Sequence, residues 1–126
     1  MPIHVQRTEF DPHVGYQYYV AFNENGSFGE EDVRSRAPVE VAASLCENGD
    51  LADFSFELPK YCRSNEALEF IRLSGDATYV EPRVYVNVPE VSGDTVVLAA
   101  GRLEMDAAGR IIGMDIVWAP VDLTKS

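Results

Sequence analysis

The two histidines and two cysteines are the side chains with the most direct chemistry, and their spacing limits what they could do. A metal site needs several converging ligands, and no cysteine or acid stands at a diagnostic spacing from His4 or His13. We therefore expect both histidines to be solvated and predict no metal site. Cys46 and Cys62 form no C-x-x-C pair and are too few for a disulfide scaffold.

The two thiols differ in their sequence neighbours. Glu47 follows Cys46, and its negative charge disfavours a thiolate there. Cys62 lies between Lys60 and Arg63, which favour a thiolate. Without a histidine nearby, nucleophilic catalysis at Cys62 is not expected. Cys62 is instead one of our candidate interaction residues.

Acidic residues form two groups that could attract a cation, one around residues 47–53 and one at residues 30–32. Neither group has the spaced Asp/Asn pattern and distal Glu of a calcium loop. The sequence also lacks a phosphate-binding glycine loop and a G-x-S-x-G nucleophile elbow. We predict no catalytic residue and no cofactor, and interpret the protein as a non-enzyme.

The charge balance is the most informative bulk property. Ten basic residues against 21 acidic residues give a net charge of −11 in a chain of 126 residues. This field repels nucleic acid and anionic membrane surfaces, so we expect neither as a partner. It favours a protein partner with a basic surface. The reduced cysteines and the absence of a signal-like or membrane-spanning apolar run predict a cytoplasmic protein.

Period-two patterns predict a mainly antiparallel β structure. Strands are expected at residues 16–22, 39–45, 51–58, 83–89, 95–104 and 110–118, and Asn48-Gly49 is a strong hairpin signal. One short helix is expected at about residues 64–74, capped by Ser64. Pro38 is expected to close residues 27–38, whose structure the sequence does not predict.

An internal repeat with an offset of 60 residues is the strongest pattern in the sequence. It aligns Gly49 with Gly109 and Leu58 with Trp118, and each copy ends in a proline. We therefore predict a single domain, 1–126, of the α+β class. Its two hairpin-centred units, about 9–75 and 79–120, would pack as a pseudo-symmetric pair.

The start of the first unit and the second hairpin together resemble a known family. Phe10-Asp11-Pro12, the aromatic strand to Phe22 and the segment Asp106 to Ile116 are similar to the small bacterial family catalogued as domain of unknown function 2283. The resemblance implies the hairpin fold. The resemblance also implies an antitoxin-like or partner-binding role, because some relatives neighbour small toxin-like genes.

The sequence thus favours a non-enzymatic protein-interaction module. An exposed Tyr19 could contribute to a protein interface, and Asp53 stands where the second unit has Gly113, so Tyr19, Asp53 and Cys62 are the candidate interaction residues. A sheet edge could also support a homodimer. The alternative function is a small-molecule or metal-binding accessory protein, with its pocket at the seam between the two units.

Overall fold

The computed structural model of the chain describes residues 3–7, 15–22, 33–74, 76–88 and 91–118. Within these residues the protein is mostly antiparallel β structure with one short helix. The eight strands are β1 (His4–Arg7), β2 (Tyr16–Ala21), β3 (Ser35–Leu45), β4 (Leu51–Glu57), β5 (Ala77–Val80), β6 (Arg83–Asn87), β7 (Thr95–Met105) and β8 (Ile111–Trp118). The predicted strands are confirmed, whereas the short strands β1 and β5 were not predicted.

All eight strands belong to one curled sheet in the order β1-β2-β8-β7-β3-β4-β6-β5. Every neighbouring pair is antiparallel. The curl brings the two edge strands close together. The backbone N–H of Ile3, directly before β1, donates to Oδ2 of Asp76, directly before β5, at 3.4 Å. If β1, β2, β3 and β4 exchange places with β5, β6, β7 and β8, in that order, the result is the same strand order read from the opposite edge of the sheet.

The two long hairpins, β3–β4 and β7–β8, share their register at the offset of 60 residues. Val41 pairs with Phe56 in the first hairpin, and Gly101 pairs with Ile116 in the second. Each hairpin also has one register shift, directly before Leu45 and directly before Met105. The turns close in the same way, with glycines at φ 91° and φ 82° at positions 49 and 109, a conformation that glycine adopts without steric cost.

The two hairpins meet along β3 and β7, which pair from Ser35↔Met105 to Leu45↔Thr95. The prediction that Pro38 closes the segment at residues 27–38 is wrong, because Pro38 lies inside β3 opposite Arg102. Among the described residues β4 pairs with β3 only from Val41 onward. Pro38 therefore stands at a locally open edge, where a missing N–H is tolerated.

The core lies on the inner face of the curled sheet and forms one cluster of buried apolar side chains. Phe54, Phe56, Leu103 and Ile116 are among its fully buried members. Burial alternates along the strands, so every second residue of β3, β4 and β6 points to the opposite, outer face.

The predicted helix is present but regular only in its second half, as α1 (Glu69–Ser74). Ser64 Oγ accepts a hydrogen bond from the Ala67 N–H at 3.1 Å, in the manner of the predicted cap. The Ala67 carbonyl then accepts the Ile111 N–H of β8 at 3.0 Å. Because this carbonyl bonds to the sheet and not to an N–H one helical turn later, residues 65–68 form turns and the regular helix begins at Glu69. No helix in the described parts of the chain is long and apolar enough to cross a membrane.

Candidate functional site

Two large apolar side chains stand in solvent on the outer face of a central strand. Val96 and Leu98 of β7 are 74% and 70% exposed. Side chains of this size usually lie inside the fold, and an apolar patch with a polar rim commonly marks an interaction surface. β7 is a central strand of the sheet, although at these two residues the described part of the chain pairs it with β3 alone. The surface around Val96 and Leu98 is therefore a candidate interaction surface.

The register places Leu98 at one end of a row that crosses four strands. Leu98 pairs with Ala42, Ala42 with Ser55, and Ser55 with Tyr85. Tyr85 is also exposed, at 45%. The small Ala42 and Ser55 therefore form a floor between two large walls, and we call this surface the open trough. A cavity of about 340 Å³ occupies it, lined by Glu40, Val41, Ala42, Glu57, Arg83 and Leu98.

Charged side chains flank the floor. Glu40 and Asp53 have no ion-pair partner among the described residues, and Glu57 has only a distant one, Arg63 at 3.7 Å. The one cation that lines the cavity, Arg83, donates from Nε to Ser55 Oγ at 3.1 Å. Three carboxylates thus lie at the two ends of a floor of small residues, Ala42 and Ser55, that one guanidinium partly covers.

The corresponding row of the other hairpin has a different chemistry. It consists of Tyr19, Asp115, Arg102 and Pro38, again one residue on each of four neighbouring strands. Arg102 and Asp115 occupy the positions that Ala42 and Ser55 have in the open trough, and Arg102 Nη2 donates to Asp115 Oδ2 at 3.1 Å. We call this surface the ion-paired row. A cavity of about 420 Å³ lies over it, but its acid and its base already bind each other.

Tyr19, a predicted interaction residue, is held against the sheet at the end of the ion-paired row. Its hydroxyl donates to Glu104 Oε1 at 2.9 Å, and Arg36 Nε donates to Glu104 Oε2 at 3.3 Å. Burial, and secondarily the bond to Glu104, raises the pKa of the Tyr19 hydroxyl. The ring lies over Gly113, where an added Cβ would stand 2.5 Å from Tyr19 Oη. Tyr19 is therefore half-buried, with its hydroxyl already bound.

The three predicted interaction residues do not come together. Asp53 lies on the outer face of β4 next to the open trough, paired with Ser44 and Asn87. Cys62 lies in the core, 1% exposed, with Sγ 3.3 Å from Met105 Sδ. The expectation that its basic neighbours favour a thiolate is wrong, because burial raises the pKa of the Cys62 thiol.

One of those basic neighbours makes backbone contacts instead. The Arg63 guanidinium donates twice to the Leu58 carbonyl, at 3.0 Å and 2.8 Å. This arrangement leaves Cys62 a packing residue in the structure.

Sequence reasoning missed Leu98 and Tyr85, although Leu98 carried a usable signal. Val96, Val97 and Leu98 are three successive apolar residues in a strand. Because successive side chains of a strand point to opposite faces, such a run must place apolar surface on the solvent side. Tyr85 carried no such signal, because a tyrosine between two valines is common in an ordinary β-strand.

The acidic turn after β3 is occupied by internal contacts. Arg7 donates to the Asn48 carbonyl at 2.7 Å and pairs with Asp50 at 3.0 Å. Within the described residues no three or more His, Cys, Asp and Glu side chains converge to hold a metal ion. His13 and the acidic group at residues 30–32 lie outside the described residues.

A small apolar cavity lies where the β1–β2 end of the sheet meets the first turn. Its volume is about 260 Å³, and Val5, Tyr18, Leu51 and Val88 are among its lining residues. Cavities for drug-sized ligands hold about 300–1,000 Å³. The Tyr18 hydroxyl already donates to the Gly49 carbonyl at 2.5 Å, and burial raises its pKa to about 12. This cavity offers no free polar group from Tyr18 to orient a ligand.

Comparisons with protein-family models, with curated proteins and with solved structures gave no match to this chain. The resemblance to domain of unknown function 2283 therefore stays a prediction, and the open trough has to be interpreted from its own geometry.

Proposed function

We propose that this protein is a non-enzymatic interaction module that binds a basic partner protein through the open trough. The observation that carries the proposal is the exposure of Val96 and Leu98, 74% and 70%, on a central strand beside unpaired carboxylates. Desolvating such side chains at an interface supplies binding free energy. The net charge of −11 favours partners of the opposite sign and speeds their approach.

The charge also bears on self-association. A homodimer formed through the open trough would bring Glu40, Asp53 and Glu57 of two copies close together. Like charges at an interface cost free energy, so we propose a different protein as the partner. We place this interaction in the cytoplasm, because the two cysteines are free thiols. An antitoxin-like role, implied only by the family resemblance, would require the partner to be a toxin.

We also propose that the two hairpins are diverged copies packed about a pseudo-two-fold axis. The shared register, the equivalent bulges and the strand order that reads the same from both ends support this proposal. Such an axis would pass between Glu40 and Ala100, which pair with each other and are 60 positions apart. On this view the open trough and the ion-paired row are equivalent surfaces, and only the first has small residues at its floor.

Site-specific photo-cross-linking in the native cell tests the proposed function. A photoreactive phenylalanine at position 98 is expected to capture a discrete protein with a basic surface. The matched control carries the same residue at position 80, because Val80, like Leu98, is an exposed aliphatic side chain of a strand, at 60%, and lies on the edge strand β5. Absence of a specific product at position 98, or the same product from both positions, would refute the proposal.

A further inference from the structure

The dimensions of the open trough, considered on the basis of the proposed function, specify the kind of segment that it accepts. Tyr85 and Leu98 are separated by three strand spacings, and each spacing is about 4.8 Å. The walls therefore stand about 14 Å apart, close to the 10–12 Å diameter of an α-helix with its side chains. The backbone of an extended chain occupies one strand spacing, about 5 Å, so an extended chain would contact only one wall.

The backbone under the trough supports the same conclusion. The trough lies over β6, β4, β3 and β7. At its floor, Ala42 pairs with Leu98 and Ser55, and Ser55 pairs with Ala42 and Tyr85. Only at the β7 side, over residues 95–99, does the described part of the chain show no β8 partner. A peptide that adds a strand needs an unpaired sheet edge. The floor of the trough has none, so a bound segment must satisfy its own backbone hydrogen bonds. An α-helix does so internally.

The floor also sets the length and the composition of the helix. From Asp53 to Glu57 the floor follows five residues of β4, and the four steps between them span about 14 Å of strand. A helix rises 1.5 Å per residue, so about nine residues of helix would cover it. Ala42 and Ser55 are small enough to let an apolar stripe approach closely. Glu40 and Glu57 lie at one end of this floor and Asp53 at the other, so cationic side chains toward both ends of the helix would reach them.

We infer that the open trough binds one basic amphipathic α-helix of the partner protein. The helix lies along β3 and β4, with its apolar stripe between Tyr85 and Leu98 and its arginines or lysines beside the three carboxylates. Arg83 opposes this ligand, because it adds positive charge and lies over Ser55.

A synthetic 20-residue helical peptide with a leucine stripe flanked by arginines is the probe. It is long enough to be partly helical in water. We expect it to bind the full chain, whereas a peptide with glutamate at each arginine position does not. A scrambled peptide of the same composition lacks the apolar stripe and is expected to bind at least 5-fold more weakly. Equal binding of the arginine peptide and the scrambled peptide would overturn the inference.

Paired variants separate recognition in the trough from general attraction. Glu40→Gln with Glu57→Gln should weaken arginine-peptide binding roughly 3- to 10-fold at low salt, given the strength of exposed charge pairs. Glu47→Gln with Glu66→Gln makes the same change in net charge at exposed sites outside the trough, and should alter binding less than about 2-fold. Equal effects of the two pairs would overturn the inference.

Arg83→Gln gives a test of opposite sign. Removing this cation should tighten arginine-peptide binding by about 2- to 5-fold, whereas an acidic ligand would bind less tightly. A partner captured at position 98 together with no binding of the arginine helix would leave the proposed function standing and refute the helix. Dimerisation of the chain that Leu98→Asp abolishes would refute both, since the face would then bind a second copy.

Discussion

Leu98→Asp is expected to abolish partner binding while leaving the fold intact. Leu98 is 70% exposed, so the substitution should change the free energy of unfolding by no more than about 0.5 kcal/mol. At the interface the same side chain forms one wall of the open trough. Removing an apolar anchor of this kind costs about 2 kcal/mol or more, which is roughly a 30-fold loss of affinity. The new carboxylate also introduces a charge that binding must desolvate.

The matched control for this prediction is Val80→Asp. Both substitutions place a carboxylate at an exposed apolar site of a strand and lower the net charge equally. Isothermal titration with the arginine helix, or with the partner captured at position 98, should show the loss only for Leu98→Asp. An unchanged affinity in Leu98→Asp would remove the open trough from the interaction.

Gly113→Ala is expected to destabilise the protein by about 2–3 kcal/mol, in the range found for overpacked sites. The added Cβ would stand 2.5 Å from Tyr19 Oη and 2.9 Å from the Val20 carbonyl oxygen. The second contact is with backbone, which cannot rotate away as a side chain can. Relief of the first would require Tyr19 to give up its hydrogen bond to Glu104.

Chemical denaturation measures this effect, with Gly109→Ala as the control. A Cβ at position 109 meets nothing within 4 Å, so the only cost there is its positive φ of 82°, about 1–2 kcal/mol. Adding Tyr19→Phe to Gly113→Ala should recover part of the stability, because it removes the closest atom. A stability of Gly113→Ala within about 0.5 kcal/mol of the unmodified protein would contradict the close packing described here.

The strands were predictable because their residues alternate in polarity. Phe54 and Phe56 point inward and Ser55 outward, as period two requires, and Asn48-Gly49 forms the predicted turn. The order of the strands in the sheet was not predictable, because long-range pairing depends on edges that sequence patterns do not encode. The short β1 and β5 were missed for a related reason, since four residues carry too little periodicity to be recognised.

The candidate site was harder to predict than the fold. Tyr19 and Asp53 were selected as single residues, but the open trough is a property of four strands that meet only after folding. Its floor depends on Ala42 and Ser55, whose importance is that they are small and opposite each other. The wrong interpretation of Cys62 has the same origin, because its sequence neighbours Lys60 and Arg63 do not reveal that the thiol is buried in the core.

The two rows differ in that the acid and the base of the ion-paired row bind each other, so we expect the open trough and not the ion-paired row to bind the partner. Titration of the isotope-labelled protein with the arginine helix, followed by backbone-amide and methyl resonances, tests this claim most directly. We expect shift changes that centre on Ala42, Ser55, Tyr85 and Leu98. Changes that centre on Arg102, Asp115 and Pro38, or that spread evenly over the acidic surface, would contradict it.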